Sequence, residues 1–350
     1  MRVAWFAPAP YDVVHEIGQS DSVDLFDQRR AHDFVWQHFT APYDATVFEL
    51  GDTEQHDFVW PYLFHYPGIV ILRATSLQHS RSGCLTLQRR HRHLRAERAF
   101  SGGNFLRAPM MASRLVVVHD EVVARELRGD FPNLPIRVVP MGAAVPTVLA
   151  SDGRVRFHIP GSRRDVVDRA AARARDAGAE TTLVSGMDGV RYGDVVIALE
   201  WPPTGGPPVD ALRAMAGGLP TIVLETETVA AWPTLDPQTW QRRGYADAPA
   251  VAISIDPRDE EHSLMLALRR LAADASLRAS LGAAAGAWAR EHANLRTAAA
   301  EWRRILLEAR QLEPTVSRGE LPPHLVDDGT GAARAILDEV GATVDFLERR

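Results

Sequence analysis

A histidine, an acid and a tryptophan recur in one pentapeptide near the start of the chain. HDFVW occupies His32–Trp36 and again His56–Trp60. Histidines are common metal ligands, but these two lie on separate predicted helices with no third ligand indicated, and a true repeat extends beyond five residues. The second copy follows a predicted strand and the turn Gly51–Thr53, with Asp52 as the expected helix cap. We therefore predict no metal site, and place His56 and its loop at the carboxyl edge of a sheet, where α/β proteins bind ligands.

The basic side chains are restricted in type. All 39 residues counted as lysine or arginine are arginine, so a P-loop lysine, a Schiff-base lysine and a pyridoxal-phosphate attachment are excluded. Guanidinium groups favour bidentate recognition of phosphate or carboxylate, although genome composition is the simpler explanation of the bias. The net charge of −6 argues against a nucleic-acid partner. Cys84 is the only cysteine, which excludes an internal disulfide, and we expect a cytoplasmic protein.

Short apolar runs without strict alternation predict strands that are buried on both faces. The predicted strands are Arg2–Ala7, Val23–Phe26, Ala45–Leu50, Gly68–Leu72, Arg114–His119, Ile136–Pro140, Val155–Ile159, Thr181–Ser185, Asp194–Leu199, Thr221–Leu224 and Val251–Ile255. Predicted helices lie between several of them, and Asp259–Arg310 is strongly helical. The pattern predicts an α/β chain of two doubly wound Rossmann-like domains facing a cleft, over residues 1–145 and 146–310. A tail, residues 311–350, ends in a predicted helix at Gly331–Leu347.

One long stretch of the second block carries a family resemblance. The segment GDVVIALEWPPTGGPPVDALRAMAGGLPTIV resembles the donor-sugar domain of retaining GT-B glycosyltransferases of family 4, whose corresponding motif reads like EAMACGLPVV. The segment SRLVVVHDEVVARELRGDFPNLPIRVVPMG is similar to the end of that family's acceptor domain. The likeness covers roughly residues 1–310 and is clearest over 114–310. It implies a GT-B fold and transfer of a sugar, with retention, from a nucleoside diphosphate sugar to an unidentified acceptor.

The resemblance assigns the donor's phosphates and sugar to loops at the carboxyl ends of the second block's strands. Glycine amides at a helix start and nearby arginines supply the N–H donors and positive charge that a diphosphate needs. The same residues also read as plain turns, a solvated helix start or a solvated loop. The predicted donor-binding residues are Gly161, Ser162, Arg163, Arg164, Gly205, Gly206, Arg213 and Glu225.

The chain departs from the family pattern at its charged positions. Family 4 usually carries two glutamates eight positions apart, and here Arg213 stands at the second and Gly205 or Gly206 at the first. The acceptor-side His-Asp pair aligns with Arg73-Ala74, so a basic residue is kept without the aspartate, and His79 is a possible substitute. The predicted acceptor-side residues are Gly51, His56 and Arg73, and no catalytic residue is assigned.

Two crossovers are shorter than the family pattern requires. The links after Ala7 and Ser185 fall near or below the dozen residues that a parallel connection ordinarily needs, so a strand is misassigned or a crossover helix is lost. This trimming and the missing glutamates support an alternative, a catalytically inactive GT-B relative that acts as a binding or assembly partner.

The remaining partners are predicted from charge and hydropathy. The basic run Arg81–Arg98 reads as a solvated helix face or as a peripheral contact with anionic lipid or acceptor. No apolar run approaches membrane-spanning length. The expected partners are a nucleotide-sugar donor and an unidentified acceptor, with no nucleic acid, metal or cofactor.

Overall fold

The computed structural model describes residues 1–9, 12–161, 163–201, 205–244, 248–327 and 329–341. Apolar runs rich in Val, Ile and Phe form a first, six-stranded sheet in which neighbouring strands are all parallel. Its order is β2-β1-β3-β4-β5-β6, a doubly wound arrangement. The strands are β1 (Arg2–Phe6), β2 (Ser22–Phe26), β3 (Ala45–Leu50), β4 (Ile69–Leu72), β5 (Leu115–Val118) and β6 (Ile136–Val138).

The second sheet has seven strands in the order β12-β11-β13-β10-β9-β7-β8 and is parallel except for the β11–β12 pair. Each of the eleven predicted strands corresponds to an observed one, and the two additional strands are only two residues long, too short to leave a pattern. The strands are β7 (Arg156–Ile159), β8 (Thr182–Ser185), β9 (Val195–Ala198), β10 (Thr221–Leu224), β11 (Thr234–Leu235), β12 (Arg242–Arg243) and β13 (Ala252–Ile255).

Helices cover the faces of both sheets, which is why the central strands are apolar throughout. In the first domain they are α1 (Asp12–Ile17), α2 (Asp33–Thr40), α3 (Trp60–His65), α4 (Gln78–Leu87), α5 (His91–Ser101), α6 (Arg107–Ala112) and α7 (Glu121–Asp130), with a 3-10 helix at Glu54–Val59. In the second they are α8 (Arg164–Asp176), α9 (Val209–Ala216), α10 (Glu227–Ala230), α11 (Glu260–Ala273) and α12 (Ala275–His292). The chain continues with α13 (Leu295–Ala309), α14 (Pro323–Val326) and α15 (Gly331–Glu339).

The short crossover between β8 and β9 has lost its helix. Residues 186–194, all of them described, contain only turns, yet β8 and β9 lie parallel on opposite sides of β7. Val190 in this link is fully buried beside Val196 and Leu219, and Leu149 pairs with Arg191 in an isolated bridge. The strand assignments are therefore correct, and the link is a packed loop. After β1 the crossover keeps only the six-residue α1.

The chain returns to the first domain after the second is complete. Helix α13 packs on the first sheet, with the Trp302 ring centroid 4.9 Å from that of Trp5. Beyond it, Val316, Leu321 and Leu325 are buried in the core on the other face of the same sheet. The tail predicted from residue 311 is thus a part of the first domain's packing, and its final predicted turns, beyond 341, lie outside the described residues.

Two glycines allow a matched test of local packing. A Cβ at Gly68 would collide with the backbone and hydroxyl oxygens of Thr46 on the neighbouring strand β3, whereas a Cβ at Gly83 in α4 would meet open space. We expect Gly68→Ala to lower the free energy of unfolding by about 1–3 kcal/mol, because overpacking forces the strands apart. Gly83→Ala should raise it by about 0.5–1 kcal/mol, through helix propensity. Urea unfolding of both variants checks the signs, and equal effects would contradict the packing argument.

Candidate functional site between the two domains

The carboxyl ends of both sheets meet at a seam that the predicted glycines make possible. The Gly205 amide donates a hydrogen bond to the Arg73 carbonyl oxygen at the end of β4. A Cβ at Gly205 would lie 3.1 Å from that carbonyl, and one at Gly206 would lie 3.0 Å from the His119 Cβ, beyond β5. Both glycines are therefore required for the close approach of the domains, and the Gly205 amide is already engaged.

A cleft of about 940 Å³ opens beside this seam. One wall is the first domain, at the ends of β3, β4 and β5, and the other is the loop and short helix after β10. The lining is polar, apart from Trp201, whose side chain is half exposed. Residues from both domains line it: Asp52, Ala74, Thr75, Ser76, His79, Asp120, Val122 and Val123 from the first, and Trp201, Gly205, Glu225, Thr226, Glu227, Thr228 and Ala230 from the second.

The polar groove along α4 continues from this cleft. Its volume is about 640 Å³, and it shares Asp52, Ser76 and His79 with the cleft. Ser82 and Thr86, on one face of α4, contribute hydroxyl groups to its lining. His79 thus lies where the sequence suggested a substitute for the missing acceptor-side pair. Asp52 does not cap the helix that follows it, as predicted, because its Oδ1 accepts from the Ser80 amide, 2.8 Å away in α4.

On the other side of the seam lies a smaller chamber of about 300 Å³. Arg213, in α9, reaches across the domain boundary and donates to both carboxylate oxygens of Asp12, at 2.9 and 2.6 Å. The Ala144 amide donates to the same carboxylate at 2.8 Å. Burial raises the pKa of Asp12, but these hydrogen bonds outweigh it, so the pKa lies below its usual value and the carboxylate is charged. The arginine at the family's ribose-glutamate position therefore ties the two domains together.

The predicted acceptor-side residues converge on an acid that the sequence analysis missed. Glu49, at the end of β3, has its Oε1 3.5 Å from the His56 Nε2 and 3.8 Å from the Arg73 Nε. His56 lies against Gly51, where a Cβ would come within 2.8 Å of the ring, and its Nδ1 is 2.8 Å from the Thr53 hydroxyl. Gly51 is therefore required because any larger residue would displace the imidazole.

A buried histidine completes the seam. His119 lies under Gly206, and its Nδ1 is 2.9 Å from the Val139 carbonyl oxygen, to which a neutral imidazole donates. Burial lowers the pKa of His119 to about 3, and the positive charge of Arg73 lowers it further. The imidazole is therefore neutral at physiological pH, and its place in the site depends on geometry alone.

The predicted phosphate-binding arginines are held by acidic partners at the carboxyl edge of the second sheet. Arg163 pairs with Glu260. Arg164 donates to Asp168 at 2.9 Å and to the Ser185 hydroxyl at 3.0 Å, with its side chain 40% exposed. The adjoining predicted positions, Gly161 and Ser162, differ in status: Gly161 has open space around it, whereas Ser162 lies outside the described residues.

Glu225 is the predicted donor-side acid that lines the cleft. Its carboxylate pairs with Arg243, which also donates to Asp236 at 2.8 Å. Its backbone amide donates to the Ile255 carbonyl oxygen at 2.9 Å, which fixes the loop after β10 against β13. Glu225 therefore stands in the cleft with its charge already balanced.

The basic run does not form one continuous face. It is divided between α4 and α5 at Arg89, whose φ of +56° breaks the helix. Arg81 is buried and donates to Glu97 at 2.8 and 2.7 Å and to Asp57 at 3.0 Å, so it cannot contact a lipid or acceptor. Within the part of the chain that the structure describes, no helix is long and apolar enough to cross a bilayer.

Three interdomain residues escaped the sequence analysis, and each left a faint signal. Glu49 is an acid inside an otherwise apolar strand, and Asp12 and His119 follow β1 and β5 at the ligand-bearing sheet edge. Their partners lie far away along the chain, which is why the signals did not combine. Among the described residues, no group of three His, Cys, Asp or Glu side chains is arranged to hold a metal ion.

Solved structures with the same two-domain arrangement are glycosyltransferases. HepE of Anabaena, in complex with UDP and glucose, superposes with a TM-score of 0.54 at 12% identity over 88% of this chain and 100% of its own. WaaG, a glycosyltransferase involved in lipopolysaccharide biosynthesis, gives 0.51 at 14% identity over 87% and 99%. No protein-family model and no curated protein matches the sequence. The chain thus has the GT-B fold of glycosyltransferases, with two Rossmann-like domains facing a cleft.

Proposed function

We propose that this protein transfers a sugar from a nucleoside diphosphate sugar to an unidentified acceptor. The observation that carries the proposal is the cleft of about 940 Å³ between the carboxyl ends of the two parallel sheets, where doubly wound domains bind ligands. HepE, which shares the fold, was solved with UDP and glucose, and the pneumococcal O-GlcNAc transferase GtfA with UDP and GlcNAc. Retention of anomeric configuration and membership of family 4 are further parts of the proposal, and both rest on the sequence resemblance.

The proposal gives each side of the cleft a task. The donor's diphosphate lies at the start of α8, where no side chain caps the helix, with Arg164 as the arginine best exposed to meet it. The acceptor lies along the α4 groove, with His79 at the point where groove and cleft meet. Helix amides and guanidinium groups stabilise the departing diphosphate, and no metal is required.

We expect UDP or GDP to raise the thermal unfolding midpoint, because a ligand that binds only the folded chain stabilises it by about 2.7 kcal/mol at a hundred times its dissociation constant. Arg164→Ala should remove at least half of that shift. Arg169→Ala is the matched control, because Arg169 lies on the same helix and pairs with Asp165 and Glu261. Differential scanning fluorimetry over a nucleotide titration measures all three. An unchanged shift in Arg164→Ala would place the diphosphate elsewhere.

A second function is favoured by a separate observation. Arg213 holds Asp12, and Gly205 and Gly206 pack against the first domain, at the positions where family 4 has its two glutamates. Such an arrangement suits a non-catalytic GT-B protein whose closed domains form a surface for a binding or assembly partner. Hydrolysis of UDP-glucose or another nucleotide sugar by the purified protein would decide for the transferase, and the first anomer released, read by NMR, would test retention. Absence of both nucleotide binding and hydrolysis would decide for the second function.

A further inference from the structure

Glu49 is a buried carboxylate with an unmet hydrogen-bonding need. Its side chain is only 7% exposed. Its Oε2 is shielded from solvent and has no hydrogen-bond partner among the described residues. Buried carboxylates normally accept several hydrogen bonds, because leaving one acceptor unmet costs free energy. The group therefore has capacity for a donor that the described part of the chain does not supply.

The neighbours of Glu49 balance its charge without satisfying it. The Arg73 Nε at 3.8 Å and the His56 Nε2 at 3.5 Å both lie beyond ordinary hydrogen-bond length from Oε1. The Thr53 hydroxyl can donate to the His56 Nδ1, which leaves the proton on Nε2, directed toward the carboxylate. What the site lacks is a hydrogen-bond donor, since Arg73 already supplies the positive charge.

The chamber that Glu49 lines has the size and polarity for one small polar ring. Its volume of about 300 Å³ is at the low end of the range of about 300–1,000 Å³ for small-molecule sites, so a whole nucleotide sugar exceeds it. Gln55, His56 and the paired Asp12 and Arg213 provide further polar groups in its wall. A phosphate beside Glu49 would be repelled by the carboxylate, and an ammonium group would add a charge that the site does not need. A neutral, hydroxyl-bearing ring fits all three constraints.

We propose that the interdomain chamber binds a neutral sugar ring and that Glu49 accepts a hydrogen bond from one of its hydroxyl groups. Glu49 is then a specificity-determining residue, and His56 and Gly51 are positioning residues that hold its orientation. Rotation about the terminal side-chain torsion, which is broad for glutamate, presents Oε2 to the ring. The inference rests on the proposed function, because the ring is the glycosyl group of the donor.

The test compares each nucleotide sugar with its own diphosphate. Calorimetry gives dissociation constants for UDP, UDP-glucose, UDP-galactose, UDP-N-acetylglucosamine, GDP and GDP-mannose. We expect at least one sugar to increase the affinity of the wild-type protein above that of its diphosphate. Glu49→Gln should reduce this increment about tenfold, because a hydrogen bond to a charged acceptor is replaced by one to a neutral amide. The affinity for the diphosphate alone should stay within about twofold, a split that a general loss of structure would not produce.

Two further variants keep the result interpretable. Glu126→Gln removes an exposed carboxylate on α7 and should change neither affinity. Gly51→Ala displaces the His56 ring and should reproduce the selective loss, which serves if Glu49→Gln does not fold. Diphosphate binding with no sugar increment in the wild type would overturn the inference alone. A full increment in both Glu49→Gln and Gly51→Ala would overturn the role of Glu49, whereas no binding of any nucleotide would overturn the proposed function itself.

Discussion

We expect Trp302→Ala to lower the free energy of unfolding by about 3–5 kcal/mol, the loss typical of deleting a large buried aromatic. Trp302 is 1% exposed and stacks at a tilt on Trp5 in the first strand of the chain. The helix that carries it, α13, comes after the whole second domain, so this contact joins the two ends of the fold. The variant should also weaken the attachment of the segment that follows α13, because that segment is held to the first domain through the same helix. Denaturant unfolding followed by tryptophan fluorescence and by circular dichroism gives both readings.

Leu307→Ala is the matched control for this substitution. Leu307 lies in the same helix but is 57% exposed, so its truncation should change stability by no more than about 0.5 kcal/mol. If the two variants were equally stable, α13 would not be an integral part of the first domain's core.

Glu97→Ala should have an effect of similar size through a different cause. Glu97 is fully buried and accepts from Arg81 at 2.8 and 2.7 Å and from the His324 ring at 2.8 Å. Removing it leaves the Arg81 guanidinium buried above the Trp60 ring with only Asp57 to balance it. Truncating one partner of a buried ion pair typically costs about 3–5 kcal/mol, since the remaining charge is uncompensated. Chemical denaturation measures the loss.

The same variant tests how the end of the chain is anchored. His324 lies in α14, and its contact with Glu97 adds to the buried Leu321 and Leu325 in holding this segment on the first domain. Glu97→Ala should therefore speed proteolytic cleavage between α13 and α14. Glu126→Ala, on the exposed face of α7, is the control and should leave both stability and cleavage unchanged. Cleavage at the wild-type rate in Glu97→Ala would show that the apolar contacts alone hold α14.

The strands and their order in two blocks were predictable because each buried parallel strand leaves a short apolar run in the sequence. The crossover after β8 was not, since a loop such as residues 186–194 replaces a helix only when its apolar residues find a core, and Val190 does so through contacts distant in sequence. The exposure of the repeated pentapeptide was equally undetermined. Trp36 of the first copy is 69% exposed, whereas Trp60 of the second is 3% exposed.

The sequence by itself determined the fold class, the glycines that permit the close domain contact, and the loop that holds His56. Only the tertiary structure decided which residues face each other across the domains. Asp12 meets Arg213, and Gly205 meets Arg73, across 201 residues and 132 residues of chain. Periodicity records the burial of a segment, but it carries no information about the partner on another segment, because that choice depends on how two completed domains pack. For this reason Glu49, which stands within an apolar strand, became a candidate for ligand recognition only once its unmet oxygen was seen beside the chamber.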